Sequence, residues 1–491
     1  MRLLLVFLCI SFTTNGALSQ SMSPNILGLD QQIDSIMNTY NSVGLSVAVV
    51  FKDEVIYAKG FGYRDLEAKL SVSTNTVFQL GSMTKAFTGA LIGILESEGK
   101  LSLNDRPANH LPDFNFYNRK MDELITIDDL LSHKSGIGNQ GTTEVFFPEK
   151  DLLSVAHRLR HLPPQAEVKN SFSYSNMAFS LAGTIIEQTS GKSWEAYNKI
   201  KLFQPLEMSS TFTEISQMKA TRNFALGYGR QEGKTKLVAY EKYNSIRPAG
   251  AIKSTVLDLA NWMRVWLNKG QLNDKQIIPE SYVNQATQLQ NTKREEYAEG
   301  AFLMGEGFGW RLRAYEGHFR VRHGGNTFGF STNLDMFPHQ ELGIVVLTNQ
   351  DHSLLPYIIC DLISRRILGL NPIDEYPIVI TDLYKPNLDK KPINKEKKPN
   401  RPIQDFVGQY AAKGYGTIEV IYEDDELFAL LPSYKFRLQH MHYNTFDIRV
   451  TQDFKDSYSP EFSVKFTDNL SGEITTLELF SQNEPIQFIK K

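Results

Sequence analysis

Apolar and polar positions change rhythm several times along this chain. An apolar run reaches Leu80, breaks at Gly81-Ser82 and resumes as far as Leu95, which predicts a helix opening on a glycine–serine pair. The polar stretch Asn170-Ser171-Phe172-Ser173 leads through Tyr174-Ser175-Asn176 into a second apolar helix, Met177 to Ile186. Phe319-Arg320-Val321-Arg322 alternates as a strand does and continues into His323-Gly324-Gly325-Asn326. Leu354–Ile367 returns to a helical pattern. Beyond residue 402 the segments shorten. Gly416–Tyr422, Glu426–Leu430, Tyr443–Val450, Glu461–Thr467, Thr475–Ser481 and Pro485–Lys490 read as strands between polar turns, a small antiparallel β-barrel or sandwich.

Composition changes this picture at two places. Lys385–Pro402 holds four prolines and seven basic residues, so it is read as a semi-extended, solvated linker. At the other end, Arg2 precedes the apolar run Leu3–Phe12, and Ala17-Leu18-Ser19 offers a small-residue cleavage site before Gln20. Residues 1–19 are therefore expected to be a secretory signal peptide, and the protein to be secreted or periplasmic. The run is too short for a membrane span, and no other segment nears ~20 apolar residues. The chain then divides into a main domain over 20–384, the linker over 385–402 and a β domain over 403–491. With Cys9 in the leader, Cys360 is the only cysteine left, so no internal disulfide is expected; its apolar helical setting points to burial. A net charge of −3 without a basic stripe argues against nucleic acid. No Cys/His cluster has metal spacing, no glycine loop suits a phosphate, and no repeat is present, so neither metal nor cofactor is expected. The oligomeric state is open.

The candidate chemistry centres on Ser82 and Lys85. On a helix these two positions share a face, with Cβ atoms about 5–6 Å apart, so the amine can reach the hydroxyl and activate it as a nucleophile. The spacing alone is weak: Ser97–Lys100 and Ser216–Lys219 repeat it, the first at a helix end and the second in a polar loop. Ser82 differs in following a glycine at a helix start, where free backbone N–H groups collect. Two further elements accompany it, Tyr174-x-Asn176 before a helix and His323-x-Gly325 on a strand. They too have decoys. Tyr282-Val283-Asn284 is expected on a surface helix, and Lys134-Ser135-Gly136 follows a helix rather than lying on a strand.

In the order Ser-x-x-Lys, Tyr-x-Asn, His-x-Gly, the chain resembles the serine β-lactamase and penicillin-binding-protein superfamily, in its class C, esterase and D-aminopeptidase-like branch. Gly44–Val50 and Glu54–Gly62 look like that family's opening hairpin. Thr126–Gly136 is similar to its helix-and-turn segment, which makes Lys134-Ser135-Gly136 a structural turn. Pro248-Ala249-Gly250 and Gly307-Phe308-Gly309-Trp310 also match, and the resemblance spans roughly residues 25–370. Phe406–Tyr410 resembles the start of lipocalin-like domains appended to such hydrolases; substrate gating, oligomer contacts and spacing are the roles open to it.

The resemblance implies an α+β fold: a five-stranded antiparallel sheet flanked by helices, with an all-helical region inserted after the Ser82 helix. It implies that Ser82 attacks a carbonyl while Lys85 and Tyr174 share the base. It also implies that Asn176 offers an amide to the substrate or to Lys85, and that the N–H groups of Ser82 and Asn326 form the oxyanion hole beside Gly325. His323 departs from the lysine that many β-lactamases and cell-wall peptidases carry there. Near its usual pKa of about 6.5 it is mostly neutral at pH 7 and gains charge toward pH 6. It is expected on the sheet edge with Val321 and Gly325, with Arg320 and Arg322 facing away.

The leading expectation is an exported serine hydrolase cleaving small esters or amides, D-residue peptides among them. A true β-lactamase or D,D-peptidase is the enzyme alternative, and a catalytically silent binding or scaffold protein is the alternative from another class.

Overall fold

The structure is a computed structural model that describes residues 26–139, 146–231, 233–240, 245–292, 301–373, 376, 394, 396–432, 434–450, 462–480 and 485–491. The expected signal peptide and residues 385–393 and 395 of the linker lie outside the described residues.

The main sheet is antiparallel, with strands in the order Asn291–Thr292, Ala301–Glu306, Arg311–Tyr315, His318–Thr327, Phe330–Phe337, Leu342–Thr348, Gly44–Phe51, Glu54–Asp65 and Leu70–Ser71. The opening hairpin turns on Lys52 and Asp53, both at positive φ (50° and 64°), which matches the twist of the two strands it joins. Gly44–Phe51 is buried along nearly its whole length because the sheet is covered on both faces. Val47 and Val49 pack with Leu29–Thr39 and Leu355–Leu368; Ala48 and Val50 pack with Thr84–Ser97 and Val256–Leu267. Among the described residues the sheet has nine strands where five were expected. The extra ones lie mostly at its two ends, and two are only two residues long, too short to carry an alternating pattern.

Helices fill the stretch between the Ser82 helix and the later strands, as expected. The decoys separate from the chemistry. Ser97 closes its helix by donating to Ile94 O at 2.8 Å. Ser216 and Lys219 lie on a short helix, Ile215–Ala220, rather than in a loop. Tyr282 does lie on a helix, but it is buried rather than at the surface: its ring fills the space over Gly89 and Gly93, where a Cβ on Gly93 would meet its Cγ at 2.1 Å. Gly136 at φ 72° turns the chain after Lys134-Ser135.

The C-terminal region is a closed barrel of eight antiparallel strands, each paired with its neighbours in sequence, from Gly408–Ala412 to Ile486–Lys490. Closure leaves no open strand edge. Two strands, Gly408–Ala412 and Tyr434–His442, escaped the sequence reading as strands; the second carries Lys435, Arg437 and Gln439 between its inward residues, which dilutes its apolar signal. Phe406, Tyr410, Phe436, Phe446, Phe466 and Phe488 fill the interior.

Candidate active site

The turn that carries Ser82 is shaped by close approach of backbone to backbone. Gly81–Met83 forms a single 3₁₀ turn that runs into the helix Thr84–Ser97. Gly81 sits at φ 56°, and a Cβ there would lie 3.1 Å from Asn326 N and 2.9 Å from Asn326 O. A side chain would push the serine turn off the strand. Gly325 answers it from the other side: a Cβ there would lie 1.9 Å from Leu80 O. Thr332 on the next strand holds that same carbonyl, its Oγ1 donating at 2.9 Å.

Lys85 follows one turn later and is fully buried. Its Nζ donates to Ser82 Oγ at 3.2 Å, Asn176 Oδ1 at 2.8 Å and Ala249 O at 3.1 Å. Burial of an amine costs heavily unless its hydrogen bonds are made, and here three partners converge on it. It also stands 4.7 Å from the centroid of the Tyr174 ring and 5.6 Å from that of Phe179.

Tyr174 and Asn176 reach Lys85 because Ser175 caps the helix Asn176–Ser190. Ser175 Oγ accepts from Ala178 N at 3.0 Å, keeping residue 175 extended while Asn176 becomes the first helical residue. Asn176 N donates to Asn139 Oδ1 at 3.2 Å. Burial pushes the Tyr174 phenol pKa up to about 12, against the lowering effects of the Ser82 side chain and the Arg311 charge.

His323 lies on an inner strand, not on the sheet's outer edge. Arg311–Tyr315 pairs with it only through Arg322, so from His323 onward that side of the strand has no ladder partner and faces the serine turn. The ring is buried, with Nδ1 2.6 Å from Gly324 O and, among the described residues, no hydrogen-bond partner at Nε2. Burial, then the charges of Arg311 and Lys85, hold its pKa well below the ordinary 6.5. This corrects the expectation that it gains charge toward pH 6. Arg320 and Arg322 turn away, to Asp335 at 3.4 and 3.7 Å, and Arg322 lies over Tyr357.

A cation does stand near position 323, on the neighbouring strand: Arg311. Its guanidinium carbon is 6.0 Å from the Tyr174 ring centroid, and Glu306 stands 3.5 Å from its Nε. Sequence reasoning missed Arg311, although it directly follows the quoted Gly307–Trp310 segment. It also missed His133, whose ring lies 4.4 Å from that of Tyr174 and whose Nδ1 accepts from Ser175 N at 3.2 Å. Burial, then the charges of Lys85 and Arg311, hold the pKa of this second imidazole well below 6.5, and its Nε2 also lacks a partner among the described residues. Ser82, Lys85 and Asn176 thus meet in one hydrogen-bonded set with the Tyr174 ring against Lys85, and His323, Gly325 and Asn326 lie on the strand beside it. Among the described residues no His, Cys, Asp and Glu group could hold a metal ion, and no helix is long and apolar enough to cross a membrane.

The family model described as Beta-lactamase matches residues 29–360, and a domain of unknown function, DUF3471, matches 393–490. The chain is 30% identical over 341 residues to Protein flp of Staphylococcus aureus, covering 67% of this chain and 65% of that one. It therefore spans about two thirds of the length of that relative. It is 24% identical over 448 residues to the unguisins hydrolase ungD of Aspergillus violaceofuscus, covering 80% of this chain and 76% of the relative. Among solved structures, the octameric penicillin-binding protein homologue from Pyrococcus abyssi shares the fold. Its TM-score is 0.65 at 22% identity, covering 94% of this chain and all of that one.

Proposed function

The chain belongs to the beta-lactamase family, and we propose that it is a serine hydrolase that cleaves small esters or amides, D-residue peptides among them, through an acyl-enzyme on Ser82. The observation that carries this reading is Lys85 Nζ, held between Ser82 Oγ and Asn176 Oδ1 with the Tyr174 ring against it. In its amine form Lys85 takes the Ser82 proton as Oγ attacks the substrate carbonyl. The oxyanion that forms is held by the N–H groups of Ser82 and Asn326. Tyr174, a neutral phenol at working pH, passes its proton to the leaving alcohol or amine, and the phenolate is reprotonated by the Lys85 ammonium beside it, which carries the proton taken from Ser82. Water then attacks the acyl carbonyl, losing its proton to the same pair, and Ser82 is released. A silent scaffold would gain nothing from burying a lysine against a serine hydroxyl. The apolar run Leu3–Phe12, read as a secretory leader, supports export as the setting.

A second reading is favoured by Arg311. Its side chain is about a third exposed and stands by the Tyr174 ring, where it can pair with a carboxylate on the substrate. On that reading the enzyme is a peptidase for carboxylate-ended chains. A panel of p-nitrophenyl esters, D-aminoacyl amides, D-Ala-D-Ala peptides and nitrocefin separates the two. The first reading predicts the highest kcat/KM on uncharged esters or amides, with Arg311→Ala neutral on them. Preference for carboxylate-ended peptides, lost in Arg311→Ala, would replace it with the second. Efficient nitrocefin turnover would make the protein a β-lactamase, and no turnover of any substrate would remove the hydrolase reading.

A further inference from the structure

The barrel core contains two side chains that are not its own. Phe146 and Phe147 come from the helical region, yet both are buried in the barrel's aromatic cluster rather than in that of the main domain. Phe146 lies 5.5 Å from Tyr434, 5.9 Å from Phe436 and 5.3 Å from Phe462, measured between ring centroids. Phe147 lies 5.8 Å from Phe488, on a strand four places round the barrel from Tyr434 and Phe436. The pair therefore spans the barrel from one wall to the other. Gly416 is shaped to receive it, since a Cβ there would meet the Phe147 ring at 2.9 Å.

The backbone behind this pair is tied to the catalytic set. Arg158, itself buried, donates from Nη1 to Phe147 O at 2.7 Å and is ion-paired with Glu149. Glu149 N donates to Ser245 Oγ. Ser245 O accepts from Ser180 Oγ at 2.9 Å, and that hydroxyl also reaches Asn176 O at 3.3 Å. Asn176 is the residue that holds Lys85. Every link is a hydrogen bond or ion pair between buried or half-buried groups, so displacement at one end is not absorbed by solvent.

We infer that Phe146 and Phe147 are positioning residues: docked in the barrel as a resident ligand, they set the start of the Asn176 helix and so the Asn176–Lys85 bond that serves Ser82. The barrel is thus part of the hydrolase through its interior, not an independent binding module. This rests on the acyl-enzyme reading for its kinetic consequence but not for its structural one, and the test reads both.

Two variants of the full chain approach the contact from opposite sides, Phe146→Ala/Phe147→Ala and Tyr434→Ala, with Phe146→Leu as the conservative control. Hydrogen exchange over residues 174–180 is read first, because it needs no substrate. We expect exchange there to rise about tenfold or more in the double variant and less in Tyr434→Ala, with Phe146→Leu near wild type. The acylation rate of Ser82 by a p-nitrophenyl ester is read second. It should fall about tenfold, in kcat more than in KM, since displaced supporting groups can cost up to ~10²-fold. Unchanged exchange at 174–180 in a double variant whose barrel peptides have become exposed would overturn the proposal. So would raised exchange with a wild-type acylation rate. Wild-type enzyme that shows no acylation at Ser82 would instead sink the hydrolase reading, and the exchange arm would still decide whether the coupling exists.

Discussion

The cleft around Ser82 and the interior of the barrel are both buried, but they are filled on opposite principles. The cleft keeps polar groups where apolar ones would pack more cheaply: a buried lysine with three acceptors, two imidazoles each with an unpartnered Nε2, and an arginine beside a tyrosine ring. The barrel interior is almost wholly aromatic and aliphatic. The difference is one of purpose. Every polar group in the cleft costs desolvation, and on the proposed chemistry Lys85 and the N–H groups of Ser82 and Asn326 are there to meet charge that develops on a substrate. The barrel core is bound by shape alone, and that suits it to gripping Phe146 and Phe147.

The comparison breaks most visibly at Lys85. Lys85→Ala should slow acylation by about 10²–10⁴-fold while leaving the thermal unfolding of the barrel unchanged. Pre-steady-state acylation measures the first, and a melt followed by a probe in the barrel measures the second. The matching change in the barrel is Phe466→Ala, beside Phe406 at 4.7 Å. It should cost about 3–5 kcal/mol of barrel stability by denaturant titration, with acylation intact wherever the barrel remains folded. Gly325→Ala should come next. Its Cβ would sit 1.9 Å from Leu80 O, so strand and serine turn must part, and acylation should drop by roughly 10²-fold with little change in overall stability.

The smallest effect is a pH dependence. His133 and His323 are neutral in the fold, with pKa values held below the ordinary 6.5 by burial and by nearby cations. As pH falls below about 6.5, the unfolded chain takes up protons that the folded chain refuses. Stability should therefore decline, by at most about 1.4 kcal/mol per pH unit for each imidazole, and should not depend on these groups above pH 7. Urea midpoints between pH 7.5 and 5 should show the decline, flattened in His133→Asn. Stability that rises toward pH 5 would contradict the neutral assignment.

What the sequence made legible follows from how local each feature is. Ser82 and Lys85 share one helical turn, so their meeting is written in their spacing. Tyr174 and Asn176 are placed by the Ser175 cap, again a local signal. Arg311 was not legible because its neighbours in the cleft come from other elements, and nothing in Gly309-Trp310-Arg311 says where the next strand stops. That the edge at His323 is local, on an inner strand, was not legible for the same reason: it depends on the length of a partner strand. Two-residue strands and an adjacent phenylalanine pair carry no periodicity, so the sheet's full width and the occupant of the barrel emerged only from the structure.

The central claim is that Ser82 is the nucleophile because the Gly81 turn, Lys85 and Tyr174 converge on it. Peptide mapping after treatment with a fluorophosphonate tests this most directly. The account predicts a single stoichiometric adduct on Ser82, absent from Ser97 and Ser216 and lost from the Lys85→Ala variant at matched exposure. A wild-type adduct on another serine, or undiminished hydrolysis by Ser82→Ala, would contradict it.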